Sequence, residues 1–317
     1  MSDVDKVDWV TMAGAGVFYA IVLLTGFIAA KVVMSRGSKN STDTAANQVM
    51  VGYRDFGWIV SIATITASWV GATAICAGAE RTYTHGVLPG MVPSFSMALS
   101  LLFGGIIIAK KMRTANYVTI VDPFQIKYGK KVGVIFVVSA FVGEVFCCGA
   151  TLSALGTTLS VVANIDHTIS IIVSGFVAVS YTIFGGIFSV AYTDIVQLVF
   201  VTIGTILAIP FIATNDAIQP LNTTDLMMGT SAGSKTTTIT AEVDSFLLIA
   251  FGSFCWQCYC QRILASRTVR IAVVASSISC FVAMALSIPA IVIGGIAKSI
   301  GKYKEVKLLI FSPKLFG

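Results

Sequence analysis

Long stretches without a charged residue recur along this chain, and they constrain its fold more than any other feature. Eight such runs, one of them interrupted only by Glu144, cover residues 9–30, 56–79, 86–109, 132–165, 168–193, 195–215, 245–261 and 271–297. A membrane-spanning helix needs about 20 apolar residues. Only 11% of the residues are charged, against about 25% in soluble proteins. The pattern predicts an all-α polytopic membrane protein with about eight transmembrane helices, and Gly185 and Gly186 predict a helix end inside the fifth run.

The loop charges predict the orientation, because Lys and Arg collect on the cytoplasmic side of a membrane. They are concentrated in the loops that follow the first, third and seventh runs, at Arg36, Lys39, Arg54, Lys110, Lys111, Arg113, Lys127, Lys130, Lys131, Arg262, Arg267 and Arg270. Alternating spans then place the N-terminus outside. The loop 216–242 also falls outside, and it contains a glycosylation sequon at Asn222. A second sequon, at Asn40, falls inside and is expected to be unused.

Two of the predicted spans contain residues that weaken a helix. The second run surrounds Trp69 with Thr, Ser, Gly and Ala, and the seventh has Gly252 and Ser253 just before Trp256. Small residues of this kind also serve plain helix packing. Secondary transporters, however, bind their substrates where helices are interrupted. Two interrupted spans, each with one tryptophan, favour a binding site.

Ionisable and sulfur-containing residues are few inside the runs. Glu144 is the clearest intramembrane charge, and such residues are usually functional. Asp194 and Asp244 lie at span edges, where contact with water is the simpler interpretation. Cys255 and Cys258 share a helical face, but a metal or redox site is disfavoured because no suitable partner ligands accompany them. An enzyme is also disfavoured, since neither His85 nor His167 has a neighbouring nucleophile and base.

Three motifs resemble the sodium/solute symporter family, most closely its high-affinity choline branch: "NYVTIVDPFQIKYGKK" at 116–131, "GGIFSVAYTDIVQLV" at 185–199 and "WQCYCQRILAS" at 256–266. The resemblance implies a leucine-transporter-like core of five-plus-five inverted repeats, incomplete in this chain. It divides a single transmembrane domain into an extra first helix and loop (1–52), the first repeat (53–215), an extracellular loop (216–242), the start of the second repeat (243–297) and an atypical lysine-rich tail (298–317).

The resemblance implies that a quaternary ammonium would be held by a cage of aromatic rings through cation–π attraction. Trp69 and Trp256 fall on two positions of this cage. Met97 and Cys147 stand where the branch carries tyrosine and tryptophan. Tyr259 is a candidate replacement. Gln257, like Tyr259, is a candidate gate residue.

The resemblance also implies a sodium site, half of it formed by the backbone carbonyls of Ile65 and Ser68. The hydroxyl half belongs to a later helix that this chain does not contain. Asp194 falls on an element that helps an ion leave toward the cytoplasm, and Asp244 matches an acidic residue near the entrance. Glu144 is a third candidate for the ion path or its coupling.

The leading hypothesis is sodium-coupled symport of choline across the plasma membrane by a truncated or partial form, which we expect to show no uptake by itself. The alternatives are a sodium symporter for another small organic solute and a non-transporting truncated membrane protein. We expect no bound cofactor and no nucleic acid. The expected partners are sodium, an organic cation and the lipid bilayer, with chloride as an optional second ion and a homo-oligomer as an optional assembly.

Overall fold

The computed structural model describes residues 9–36, 50–163, 165–213, 226–227 and 235–299. The helices of this part of the chain are α1 (Trp9–Arg36), α2 (Trp58–Trp69), α3 (Ala72–His85), α4 (Val87–Phe103), α5 (Asp122–Tyr128), α6 (Lys130–Ala163), α7 (His167–Ala213), α8 (Lys235–Gly252), α9 (Gln257–Ala265) and α10 (Val269–Ser299). A π-helical stretch, Gly104–Ala109, extends α4 into a short helix, Lys110–Thr114. The prediction of an all-helical chain is confirmed for these residues.

The apolar helices are long enough to span a membrane several times. Five segments pass by length and composition, and they are Ala13–Val32, Val87–Thr114, Lys130–Ser160, Gly185–Pro210 and Val269–Ser299. Two bent pairs raise the number to as many as seven. The predicted fifth run corresponds to a shorter apolar segment, His167–Ser180. The described residues therefore show five to seven spans where the sequence predicts about eight.

Both predicted interruptions are present. The helices α2 and α3 meet at an angle of 43°, and the segment Ile239–Cys255 meets α9 at 45°. At the first break Val70 leaves the helical region and Gly71 is extended. At the second, a 3-10 turn over Ser253–Cys255 ends at Trp256, whose backbone is also extended. Each break therefore places one tryptophan at or beside the interruption.

The helix end predicted near Gly185 and Gly186 appears as a kink inside α7. Gly186 has φ 54° and ψ −148°, a conformation that residues with a Cβ rarely adopt. The kink comes eight residues before Asp194, within the fifth uncharged run and at the glycines that predict the helix end. Asp194 lies inside the second, regular part of α7.

The helix α10 forms the centre of the packing, against α2, α3 and α4. Its buried positions are mostly small, including Ala272, Ala275, Ser276 and Ser279, and small residues let helix backbones approach closely. By contrast, α6 is exposed along most of its length. The core thus lies between α10 and the two broken spans, and this position determines which polar groups meet.

Candidate functional site

Trp69 ends α2 inside the core and contacts two other helices. Its indole Nε1 donates to Ser100 Oγ on α4 at 3.1 Å. Its ring meets that of Tyr259 on α9 edge to face, with the centroids 5.7 Å apart. Edge-to-face pairs add about 0.5–1.5 kcal/mol beyond area burial. Trp69 therefore joins the first broken span to the second half of the other.

Tyr259 is fully buried and linked to α10. Its hydroxyl lies 2.6 Å from Ser276 Oγ, and Ser276 Oγ donates its single hydrogen to the carbonyl of Leu101 at 2.6 Å. Tyr259 must therefore be the donor in its bond to Ser276. A Cβ added at Gly104 would lie 2.5 Å from the Tyr259 ring, so this ring requires a glycine at the start of the π-helical stretch that follows α4.

Trp256 lies at the second break and contacts α6. Its Nε1 donates to Glu144 Oε1 at 2.5 Å, and the thiol of Cys258 lies 3.7 Å from the same oxygen. Trp256 is partly buried against the core cluster that also contains Trp69 and Tyr259. The structure thus brings the tryptophans of both breaks to one apolar core.

A charged network lies between α2, α7 and α9. Arg262 Nη2 donates to Asp194 Oδ2 at 3.3 Å, and its Nε donates to the carbonyl and hydroxyl oxygens of Thr64 at 3.1 and 3.2 Å. The Thr64 hydroxyl donates in turn to Asp194. Arg262 Nη1 also donates to the carbonyl of Cys258. Each charge has a partner, which is how buried ion pairs offset their desolvation.

The opposite ends of the broken spans meet through a second ion pair. Arg81 Nη2 on α3 lies 2.7 and 2.9 Å from the two carboxylate oxygens of Glu242 on α8. Both side chains are partly buried. This ion pair therefore connects α3 with α8 on one side of the two breaks.

The predicted sodium-site residues lie in the last turns of α2, directly before the first break. Ile65 is buried, and Ser68 Oγ donates to the carbonyl of Thr64 at 2.6 Å. The hydroxyl of Thr66 is fully buried between them and has no hydrogen-bond partner within the described residues. This stretch concentrates hydroxyl and carbonyl oxygens in the core.

The other predicted contact residues are dispersed around the core. Met97 is partly buried on α4, and its carbonyl accepts from Ser100 Oγ at 2.6 Å. Cys147 lies half-buried on α6, one turn beyond Glu144. Gln257 Oε1 accepts from the N–H of Ile120 at 3.0 Å, which connects the second break to the segment after α4.

Of the two acidic residues at the span edges, the structure buries Asp194 and exposes Asp244. Asp194 is 8% exposed and ion-paired, so the interpretation that it faces water is wrong. Its position between two uncharged runs gives no indication that Arg262 contacts it from another helix. Asp244 is exposed on α8, as predicted. Asn222 lies outside the described residues.

Several site residues escape sequence analysis. Thr64, Ser100 and Ser276 are hydroxyl residues in apolar runs that hold other hydroxyl residues as well, where they resemble small packing residues. Glu242 is two residues before the predicted Asp244, and the structure brings Glu242, not Asp244, to Arg81. The one available signal was the number of hydroxyl residues in the second run. It did not show which of them face the core.

Two interrupted spans packed on one core, in a helical chain with several apolar spans, define the class: a multi-pass membrane protein built like a secondary transporter. A comparison with known sequences identifies the family within this class. The sequence model described as "Sodium:solute symporter family" matches residues 49–304. The chain belongs to that family, as its motifs predict.

Curated relatives with the name high-affinity choline transporter 1 are similar to most of this chain. The human protein is 39% identical over 291 residues, which cover 89% of this chain and 49% of the relative. The Drosophila melanogaster protein is 38% identical over 282 residues, 89% of this chain and 44% of the relative.

A more distant relative is the sodium/pantothenate symporter of Escherichia coli, 29% identical over 230 residues, 68% of this chain and 46% of the relative. The chain therefore spans about half the length of the curated relatives it matches. These relatives are transporters and not enzymes.

Proposed function

We propose that this chain forms the substrate-binding part of a sodium-coupled symporter for choline or a similar quaternary ammonium at the plasma membrane. The observation that carries the proposal is the convergence of Trp69 and Trp256, from two interrupted spans, on one buried core. A quaternary nitrogen has no hydrogen to donate, so aromatic faces are its natural partners, at about 0.5–2 kcal/mol each. The names of the relatives similar to 89% of the chain support the same substrate.

The two breaks also support an inverted-repeat architecture. We propose it with eight spans and with the external N-terminus that the loop charges predict. The angles of the two breaks, 43° and 45°, are closely similar, as expected when each repeat opens with an interrupted helix. Residues 53–215 would form the first repeat, and 243–297 would begin the second. In this arrangement Arg81 and Glu242 lie on the outer side, and Thr64, Asp194 and Arg262 lie on the cytoplasmic side.

Sodium is a hard cation that prefers oxygen ligands, and the last turns of α2 supply them. The carbonyls of Ile65 and Ser68 are the proposed ligands. Thr66, between them in the sequence, has a buried hydroxyl without a hydrogen-bond partner in the described part of the chain. Asp194 would assist an ion leaving toward the cytoplasm. Since Asp194 already binds Arg262, the ion would have to compete with that arginine.

A second candidate function is sodium symport of another small organic solute. The observation that favours it is the presence of Met97 and Cys147 beside the core, where the resembled branch has aromatic side chains. Fewer rings weaken the attraction to a cation more than to a neutral solute. The similarity to a sodium/pantothenate symporter shows that the family includes another type of substrate.

Equilibrium binding of labelled choline tests the proposal. The whole chain would be purified in lipid nanodiscs and titrated in sodium and then in potassium buffer. We expect saturable binding that requires sodium. Trp69→Leu and Trp256→Leu should each weaken binding about 2- to 30-fold, and the corresponding Phe variants less. Trp58→Leu is the matched control, because Trp58 is an exposed tryptophan at the start of α2.

Two results would contradict the proposal. One is binding of choline that is equal in sodium and potassium, since a coupled site requires the ion. The other is an equal effect of the Trp58 and Trp256 variants, which would show that the tryptophans of the breaks do not contact the substrate. Competition by unlabelled neutral solutes at least as strong as that by choline would favour the second candidate function.

A further inference from the structure

The carboxylate of Glu144 determines how the Trp256 indole is held. An indole has one hydrogen-bond donor, its Nε1–H, and in Trp256 that donor is directed at Glu144 Oε1 at 2.5 Å. The backbone of Trp256 is extended at the break, outside both flanking helices. Its N–H donates to the carbonyl of Ser253 and its carbonyl accepts from the N–H of Cys260, so the backbone of Trp256 begins α9. The bond to Glu144 on α6 is the polar anchor of the indole itself.

Among the residues that the structure describes, no cation pairs with the carboxylate of Glu144. Within the described part of the chain, its polar contacts are the indole of Trp256 and the weak donor Cys258 Sγ, at 3.7 and 3.8 Å from the two carboxylate oxygens. Arg262 follows Cys258 by one turn of α9, but its guanidinium binds Asp194, Thr64 and the Cys258 carbonyl. The other ion pairs of the described residues do not include Glu144.

An unbalanced carboxylate inside a membrane span is costly. The cost falls when a cation comes close, and a cation beside Trp256 would also meet the face of the indole. The two interactions reinforce each other, because a carboxylate that accepts the indole N–H makes the ring more electron-rich. A neutral solute of the same shape would gain neither interaction.

We propose that Glu144 is the residue that gives this site its preference for a cation, by holding Trp256 in place and supplying the opposing charge. This inference rests on the proposed function and goes beyond it, since the tryptophans alone would also accept a neutral apolar group. Glu144 is thus both a positioning residue for Trp256 and the electrostatic selector of the site.

The test compares choline with its neutral carbon isostere, dimethylbutanol, in which a carbon atom replaces the nitrogen. Both would be titrated against the whole chain in nanodiscs of neutral phosphatidylcholine. Glu144→Gln keeps an oxygen that accepts from Trp256 but removes the charge. Glu144→Asp keeps the charge. Glu144→Ala removes both, and the fluorescence of Trp256, taken as the difference from Trp256→Phe, reports the position of the indole.

We expect Glu144→Gln to weaken choline binding about tenfold or more, because a charge several ångströms away in a partly shielded site contributes at least that much. Binding of dimethylbutanol should stay within about twofold. Glu144→Asp should keep most of the preference for choline. Glu144→Ala should weaken both ligands and shift the Trp256 fluorescence. A structural role alone would move both ligands together, so the ratio of the two affinities is the decisive readout.

The outcomes separate this inference from the proposed function. If the unmodified chain binds choline and Glu144→Gln retains the same ratio of choline to dimethylbutanol affinity, the inference is overturned and the proposed function stands. If the unmodified chain binds no choline, the proposed function fails, and the inference fails with it. If Glu144→Gln does not fold, an unchanged ratio in Glu144→Ala, or loss of the preference in Glu144→Asp, overturns the inference.

Discussion

Arg81 and Glu242 join the two broken spans on one side of their breaks, with Arg81 Nη2 at 2.7 and 2.9 Å from the two carboxylate oxygens. On the other side, Arg262 joins α9 to α2 through Thr64. The backbones of α2 and α9 also meet near their far ends, where the N–H of Phe56 donates to the carbonyl of Ala265 and the N–H of Arg267 donates to the carbonyl of Phe56. Contacts therefore join the two broken spans on both sides of their breaks.

Removing the charge of Glu242 should loosen the connection between α3 and α8. We expect Glu242→Gln to lower the free energy of unfolding by about 1 kcal/mol or less, since Arg81 is about one-third exposed and solvent weakens the pair. Asp244→Asn, on the same helix but exposed, should have no measurable effect. Thermal unfolding in mild detergent measures both variants. Exchanging the two residues, in Arg81→Glu with Glu242→Arg, should restore stability, and failure to do so would contradict a direct pair.

Breaking the Arg262–Asp194 pair should cost considerably more, because both side chains are only 11% exposed. Arg262→Met leaves the Asp194 carboxylate buried without its cation, which typically costs about 3–5 kcal/mol. Arg267→Met is the control, since Arg267 is 70% exposed and lies 3.9 Å from its acidic partner. The measurement is the midpoint of thermal unfolding.

The double variant Asp194→Asn with Arg262→Met should recover part of the loss, because it removes the uncompensated charge. A double variant no more stable than Arg262→Met alone would show that Asp194 is not the group that Arg262 neutralises.

The close contact of Gly104 with Tyr259 predicts that alanine at position 104 destabilises the protein. Replacing glycine by alanine inside a helix normally stabilises it by about 0.5–1 kcal/mol. Gly104→Ala would place its Cβ 2.5 Å from the Tyr259 ring, and overpacking of this kind costs about 1–3 kcal/mol. Gly204→Ala, with nothing within 4 Å of the added atom, should be neutral or stabilising. Equal unfolding midpoints for the two variants would contradict the packing described for Tyr259.

The predicted orientation can be read from glycosylation. The sequence places the sequon at Asn222 outside and that at Asn40 inside. In a eukaryotic host, we expect a glycosidase to increase the gel mobility of the unmodified chain and of Asn40→Gln, but not that of Asn222→Gln. A mobility shift that depends on Asn40 would contradict the predicted orientation and place the N-terminus inside.

Much of the architecture could be predicted from local sequence. The uncharged runs predict membrane helices because lipid offers no partner for backbone polar groups or charges. Both broken spans, around Trp69 and before Trp256, follow from small residues and a glycine beside the break. The kink at Gly186 follows from the same physics, since glycine has no Cβ and adopts a positive φ without strain.

The sequence by itself thus determined the helical membrane fold, the places where two spans break and the family to which the chain belongs, because each depends on composition or on motifs contiguous in the chain. Only the tertiary structure decided which groups meet. Asp194 is buried because Arg262 reaches it from another helix, and Glu144 holds Trp256 across 112 positions of sequence. Such contacts depend on the rotation and packing of whole helices, and no local pattern encodes that rotation when the flanking residues are apolar on every face.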